Sequence, residues 1–409
     1  MKYIYLYITL LFFTFQKYLI THAREPLAEF WDIEDDEILS FLETEKYLSL
    51  VDRTLKSLLD DISFGETFVD LKNNKINVHT VNESRIPDII SQPELRNYSN
   101  SINFIPANKS SDNLKFSFNE IIRIANKTKS SGLSGIVIII HPLLNEVTVN
   151  LPIGNINITE TIQDFINAIM IYDPKIIHPI DSSASNTKRG IGERGIFTKV
   201  SSGDKIYFDN NATCSAGFWA KRKNKQFLVS AGHCIGNFND TTSKPKVFYH
   251  GLNDKPLLVG KVVYSIWSAP YDFSLIDIKR MDIRLKPSKN MRNRFYTSPE
   301  LIIEKNGIPQ SSHITHLCKS GSRTYITCGN IISFNGSFIS EQGDLYTGII
   351  ISSTEAAPGD SGSPSFSYLN LRSVTLNGII SWTRNSNIEN RFTATMPLQL
   401  IFNKAGITL

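Results

Sequence analysis

The apolar positions of this chain change rhythm at identifiable points, and each change predicts a different kind of element. An apolar run, Tyr3 to Phe15, follows Lys2 and stops at Gln16 and Lys17. It is shorter than the roughly 20 residues that a membrane-spanning helix needs. Thr21 to Ala23 offers the small residue expected before a cleavage point, so residues 1–23 predict a signal peptide rather than an anchor. Residues 24–60 are acidic and apolar at helical spacing, as in "DDEILSFLETEKYLSLVDRTLKSLLDD". Two β-prone runs in "ETFVDLKNNKINVHTV" then flank Asn73-Asn74 and predict a hairpin. "GIVIIIHPLLNEVTVNL" repeats that order, Gly135 to "NEVTV" echoing Gly65 to "NKINV" with a one-residue offset, and a helical run, "TETIQDFINAIMIY", follows it.

The texture changes again at "DSSASNTKRGIGERG", Asp181 to Gly195, a Ser/Gly/Asn-rich basic stretch that predicts a linker. Its Lys188-Arg189 doublet and Arg194 suit either a solvated loop or a processing site. Beyond it, short β-prone runs alternate with turns to the C-terminus, the pattern of an all-β barrel or sandwich. The chain thus divides into a helical and hairpin unit, 24–195, and a β-rich unit, 196–409.

Composition adds limits. With 41% apolar and 20% charged residues the chain can bury a sizeable core. A net charge of +4, without a dense Lys/Arg block, gives no case for nucleic acid. No later segment is long and apolar enough to span a membrane, so no stable membrane association is expected. Cys214, Cys234, Cys318 and Cys328 all lie in the β-rich unit, fit an exported protein and allow three pairings. None has CxxC spacing, which argues against zinc. His313 and His316 in "HITH" would point to opposite faces of a strand, so no metal or other cofactor is expected. Sequons occur at Asn82, Asn97, Asn108, Asn126, Asn157, Asn211, Asn239 and Asn335, usable only where the host glycosylates exported proteins.

Three fragments of the β-rich unit carry chemistry. His233 ends "FLVSAGH" and precedes Cys234; Asp272 opens the apolar strand of "PYDFSLIDI"; Ser361 sits in "EAAPGDSGSPSF", a tight turn between two β-like runs. Separately these read as a structural histidine, a turn-capping aspartate and a polar loop. In the order His, Asp, Ser they match one arrangement of a catalytic triad. "SAGHC", "DFSLI" and "GDSGSP" make the chain from about 200 to 409 resemble the trypsin-like serine proteases. "CSAGFWAKRKNKQFLVSAGHC" and "CKSGSRTYITCG" bring it nearest to the streptogrisin and alpha-lytic branch.

That resemblance implies an all-β catalytic domain of two six-stranded antiparallel β-barrels, preceded here by an α+β pro-region. It implies that Ser361 is the nucleophile, His233 the general base and Asp272 its orienting acid, with the N–H groups of Gly359 and Ser361 as oxyanion hole. "GIISWT" would supply the edge that pairs with substrate backbone, through Ser381, Trp382 and Thr383, where the family usually has glycine at the position of Thr383. Cysteines would pair 214 with 234 and 318 with 328. Asp360 would be buried against Lys319, with Arg323 the runner-up.

The branch's third disulfide is missing, and Glu355 stands where one of its cysteines would be; Arg384, or next Arg391, is the cation placed to pair with it, unless these are unrelated surface charges. The implied function is a secreted, monomeric serine endopeptidase made as a pro-enzyme, whose partners are polypeptide substrates and its own pro-region. The alternative is a secreted homologue that binds without cutting. Medium or large apolar P1 residues are expected.

Overall fold

The computed structural model describes residues 24–128, 131–152, 159–178, 198–235, 245–250, 256–292, 300–384 and 391–409. The expected signal peptide and the basic linker with Lys188, Arg189 and Arg194 lie outside them.

The acidic, helical stretch forms the helix Ile38–Lys56, which buries Ile38, Leu42, Leu48, Val51 and Leu55 on one face. Its second half packs Leu48, Val51 and Leu55 against Phe64, Val69, Ile76 and Val78 of the first hairpin. That hairpin pairs Phe64–Asp70 with Lys75–Thr80 and turns at Asn74, whose φ is 51°. The second hairpin pairs Val137–His141 with Glu146–Asn150 and turns at Asn145, φ 52°. Asparagine tolerates this left-handed conformation better than other side chains do, which is why the recurring asparagine marks both turns. After each hairpin a helical connection returns the chain to add a third strand parallel to the second: Ile102–Pro106 in one unit, Lys175–Ile177 in the other. The repeated order in the sequence is therefore one structural unit used twice. A further helix, Ser111–Thr128, buries Leu114, Phe118, Ile121 and Ala125.

In the C-terminal half, six strands close on themselves. His316–Gly321 pairs with Tyr325–Ile339, then follow Leu345–Ser352, Phe392–Pro397, Ser373–Arg384 and Pro364–Asn370, which returns to His316–Gly321; every pairing is antiparallel. Phe366, Leu376, Ile379, Ile351, Ala394 and Met396 belong to the core of this ring.

The other sheet departs from the expected six-stranded barrel. Among the described residues seven strands run in open order: Trp219–Arg222, Lys225–Ser230, Tyr271–Asp277, Pro256–Ser268, Lys246–His250, Lys205–Phe208 and Thr213–Ser215. Its first edge is occupied by the C-terminal segment, where Lys221 N–H donates to Thr408 O (2.7 Å) and Thr408 N–H donates back to Lys221 O (2.9 Å). The strand Leu285–Arg292 joins the sheet of the ring through Glu300–Ile303 instead of closing this one. Phe218, Phe227, Val229 and Phe273 of the open sheet share one apolar core with the ring.

The N-terminal units are built onto the C-terminal half. Val137–His141 hydrogen-bonds to Tyr325–Ile339 with Ile138 opposite Ser337, so the second hairpin extends the ring's sheet. Leu27, Ala28, Trp31, Ile38 and Leu42 enter the same core as the ring. No helix among the described residues is long and apolar enough to cross a membrane.

Candidate active site

His233 follows the strand Lys225–Ser230 at the point where the chain leaves the open sheet. Gly232 permits this exit: a Cβ there would stand 2.2 Å from Ile266 O and 3.1 Å from Asp272 Oδ1. Asp272 opens the strand Tyr271–Asp277, beside Lys225–Ser230. The two side chains meet, with Asp272 Oδ2 2.7 Å from His233 Nδ1 and Asp272 Oδ1 accepting the His233 backbone N–H at 2.8 Å. Ser381 Oγ donates to Asp272 Oδ2 at 2.5 Å. The Asp272 side chain is only 2% exposed, so these donors replace the water it has lost. Burial raises the Asp272 pKa, but His233 and the hydrogen bonds outweigh it and hold the carboxyl below the usual aspartate range. Burial alone would lower the His233 pKa; Asp272 reverses this and raises it above the ordinary histidine value.

Ser361 lies across a cleft of about 360 Å³ that His233, Asp272 and Ser361 all line. The structure thus brings the three sequence-predicted residues to one cavity. The turn that holds Ser361 spends its N–H groups selectively. Asp360 N–H donates to Ala357 O, Gly362 N–H to Ile380 O and Ser363 N–H to Asp360 O. The N–H groups of Gly359 and Ser361 make no internal bond among the described residues, which leaves two donors for an oxyanion. Gly359 has φ +107°, and Ser215 Oγ (2.9 Å) and Ser322 Oγ (2.8 Å) donate to its carbonyl. A Cβ at 359 would meet nothing closer than 3.7 Å, so alanine there costs backbone strain rather than collision. Gly359→Ala is expected to destabilise the turn by about 1–3 kcal/mol, and a thermal melt checks this.

Beneath the turn, Asp360 is fully buried and 3.4 Å from the equally buried Lys319 Nζ, the partner expected ahead of Arg323. Arg323 contributes its backbone N–H to Asp360 Oδ1 instead (2.8 Å), and Thr324 Oγ1 (2.5 Å) and Ala357 N–H (3.0 Å) donate to Oδ2. Burial raises the Asp360 pKa, yet Lys319 and these donors bring it below the ordinary value.

Trp382 and Thr383 line the cleft together with Ser381. Behind them Trp382 stacks on Phe338 (5.0 Å), which stacks on Tyr346 (4.8 Å). Phe338, Ser340, Glu341, Gln342 and Tyr346 form a wall from the hairpin of Tyr325–Ile339 and Leu345–Ser352, and Trp267 flanks His233. Sequence reasoning passed over this wall and the bond from Ser381 to Asp272; neither has a local signature.

Cys214–Cys234 and Cys318–Cys328 are bonded as the resemblance implied. Cys214, Cys234 and His233 offer donor atoms within 4.8 Å of one another, but both sulfurs are committed to the disulfide, so no thiolate is left for a cation. Two disulfides suit an oxidising compartment.

The expected pairing of Glu355 with Arg384 does not form. Glu355 Oε2 lies 3.7 Å from Arg391 Nη1, the second of the two candidate cations. Arg384 is buried over the Phe392 ring and donates from Nη1 to Gly135 O (3.1 Å) and Leu151 O (2.8 Å). Burial lowers its pKa to about 10. The second hairpin, which the C-terminal half alone could not reveal, has captured this arginine.

No family model matches the chain, and no curated protein sequence matches it. Among solved structures it is similar to Thermobifida fusca protease A (20% identity, TM-score 0.40), covering 52% of this chain and 98% of that one. Cellulomonas bogoriensis chymotrypsin (19%, TM-score 0.39) is covered to 98% by 52% of this chain. Nocardiopsis protease (18%, TM-score 0.40) is covered to 99% by the same share. A structure entitled alpha-lytic protease homolog N4 (17% identity, TM-score 0.40) is covered to 99% by 52% of this chain, so each of these likenesses spans about half of the chain.

Proposed function

We propose that the chain is a secreted serine endopeptidase made as a pro-enzyme, with residues 24–195 as its pro-region and polypeptides as its substrates. The observation that carries this reading is the bond between His233 Nδ1 and a buried Asp272, facing the cleft that Ser361 also lines. With Nδ1 committed to Asp272, the other ring nitrogen is the one left to take the Ser361 hydroxyl proton. Ser361 Oγ then attacks the peptide carbonyl, forming the C–O bond as that proton moves to His233. The N–H groups of Gly359 and Ser361 take the charge on the carbonyl oxygen. Collapse of this intermediate breaks the C–N bond, His233 returns the proton to the leaving amine, and water repeats the sequence to release the acyl group. A fluorophosphonate probe should label Ser361 in the folded protein. N-terminal sequencing of secreted active material should begin between Gly190 and Val200, and an Arg24 start would remove the pro-region from the reading.

Because the base must be unprotonated, the raised His233 pKa places the acid limb of kcat/KM above the ordinary histidine value, with activity falling as pH drops through it. Asp272→Asn should lower kcat by about 10⁴-fold and shift that limb to lower pH. A pH–rate profile of both proteins checks the sign.

A further inference from the structure

Arg384 is a buried cation that the catalytic reading leaves unused. It ends the strand Ser373–Arg384, its guanidinium lies 4.8 Å over the Phe392 ring, and the residue is 7% exposed. Lys319, equally buried, is answered by Asp360. Among the described residues no carboxylate answers Arg384, and burial acts on its pKa unopposed. Nη1 donates to carbonyls at the open end of the second hairpin: those of Gly135 and Leu151 and, at 3.4 Å, that of Asn150. Nε and Nη2 are buried and have no partner among the described residues. These two atoms form one edge of the guanidinium. Elsewhere in the chain the same edge binds carboxylates. Arg123 Nε and Nη2 donate to Glu120 Oε2 (2.9 and 2.6 Å), and Arg284 Nε and Nη2 donate to the two oxygens of Asp282 (2.9 and 2.7 Å). A planar fork of this kind fits a carboxylate, and leaving it unfilled in the interior is costly.

The place of Arg384 on the cleft wall gives that fork a use. The strand Pro364–Asn370 pairs with Ser373–Arg384 only as far as Ile379, and beyond that point Ser381, Trp382 and Thr383 line the cleft. On the other side Trp382, Thr383 and Arg384 stand in unbroken register with Ala394, Thr393 and Phe392. Side chains two apart on a strand share a face, so Arg384 lies on the face of Trp382, about 7 Å further along. Ser381, which bonds Asp272, marks the catalytic end of this stretch, and Arg384 the far end. Trp382 stacks on Phe338, and Phe338 pairs with Val137 of the second hairpin. The hairpin therefore meets the wall where the row from Trp382 to Arg384 ends.

We propose that Arg384 is a specificity-determining residue, which takes an acidic side chain of the polypeptide substrate at the far end of this strand once the N-terminal region has left. The inference rests on the pro-region reading, because departure of the second hairpin removes all three carbonyls from the guanidinium. An extended substrate that pairs along 381–383 repeats the strand's period of two. The substrate residue on the Trp382 face then has a neighbour, two positions further from the cleaved bond, that faces Arg384. A glutamate there meets an unfilled fork and answers the cation with a full charge, which the hairpin carbonyls do not supply.

The test uses the secreted, processed enzyme and matched peptides that carry Glu, Gln or Lys in turn at each position around the cleaved bond. At one position away from the bond, Glu should raise kcat/KM about tenfold over Gln, mainly through KM, and Lys should lower it. The advantage should shrink as salt rises. Arg384→Gln should abolish it while kcat for the Gln peptide stays the same. Arg384→Lys, which keeps the charge but not the fork, should retain part of it. Arg391→Gln, at the other cation near this wall, should leave it unchanged. No advantage for Glu at any position, or one that survives Arg384→Gln, would overturn the proposal. Should Arg384→Gln fail to fold, Arg391→Gln decides. An advantage kept there supports Arg384, and one lost there assigns the contact to Arg391 and overturns the proposal. An Arg24 start on the active enzyme would overturn this inference together with the pro-region reading, since the hairpin then still covers Arg384. A start between Gly190 and Val200 without a preference for Glu sinks the inference alone.

Discussion

Replacing Ser361 with alanine is expected to lower peptide hydrolysis by about 10⁴–10⁶-fold while leaving the fold intact. The substitution removes only Oγ. The backbone bond from Ser215 N–H to Ser361 O (2.8 Å) remains, as do the bonds that hold the turn from beneath at Asp360. The loss is that of the nucleophile, so KM for a good peptide substrate should change far less than kcat. His233→Ala should lose a similar amount, and the double variant little more, because the two residues act as a unit. Single-turnover and steady-state assays of the three variants, with fluorophosphonate labelling of the unmodified protein, decide the matter. A correctly folded wild type that neither labels nor cleaves would leave only the reading of a binding homologue.

Lys319→Ala is expected to cost about 3–5 kcal/mol of stability, as losing one partner of a buried pair does. Both side chains are fully buried, and Lys319 Nζ also donates to Thr324 Oγ1 and to Tyr325 O (2.7 Å), so the lysine holds the loop 322–324 as well as Asp360. Without it Asp360 keeps the Thr324 hydroxyl and backbone donors but no cation. The carboxylate should then pull the turn that carries Gly359 and Ser361 out of place, and kcat should fall together with the melting temperature. Asp360→Asn in the same chain removes the stranded charge, so the double variant should lose less than the sum of the single ones. An unaltered melting temperature and turnover in Lys319→Ala would assign the support of the turn to the Thr324 hydroxyl and the backbone amides alone.

Much of the candidate site was legible in the chain because each part of it is local. A glycine before a histidine, an aspartate at a strand start and a serine in a glycine-flanked turn are short-range devices, and their order supplied the rest. The hairpin turns at Asn74 and Asn145 were legible for the same reason: the left-handed residue itself marks them. The helix Ser111–Thr128 was not predicted, although Leu114, Phe118, Ile121 and Ala125 fall at helical spacing; they bury against the second hairpin.

What the sequence by itself determined is therefore the identity of the groups that meet in the cleft, the alternation of helical and β-rich units, and the repeated hairpin. Tertiary structure decided which groups answer each other across long separations. Ser381 reaches Asp272 from 109 positions away, and Glu45 reaches His316 from 271. Arg384 turned to the second hairpin and left Glu355 to Arg391. One ring of strands closed while the other sheet, among the described residues, stayed open, with its edge taken by the segment at Thr408. The physical reason is common to all of these. Backbone turns and periodic burial are set by neighbours along the chain, whereas a buried charge takes whichever donor or acceptor the packed elements bring within reach, and no local pattern records that choice.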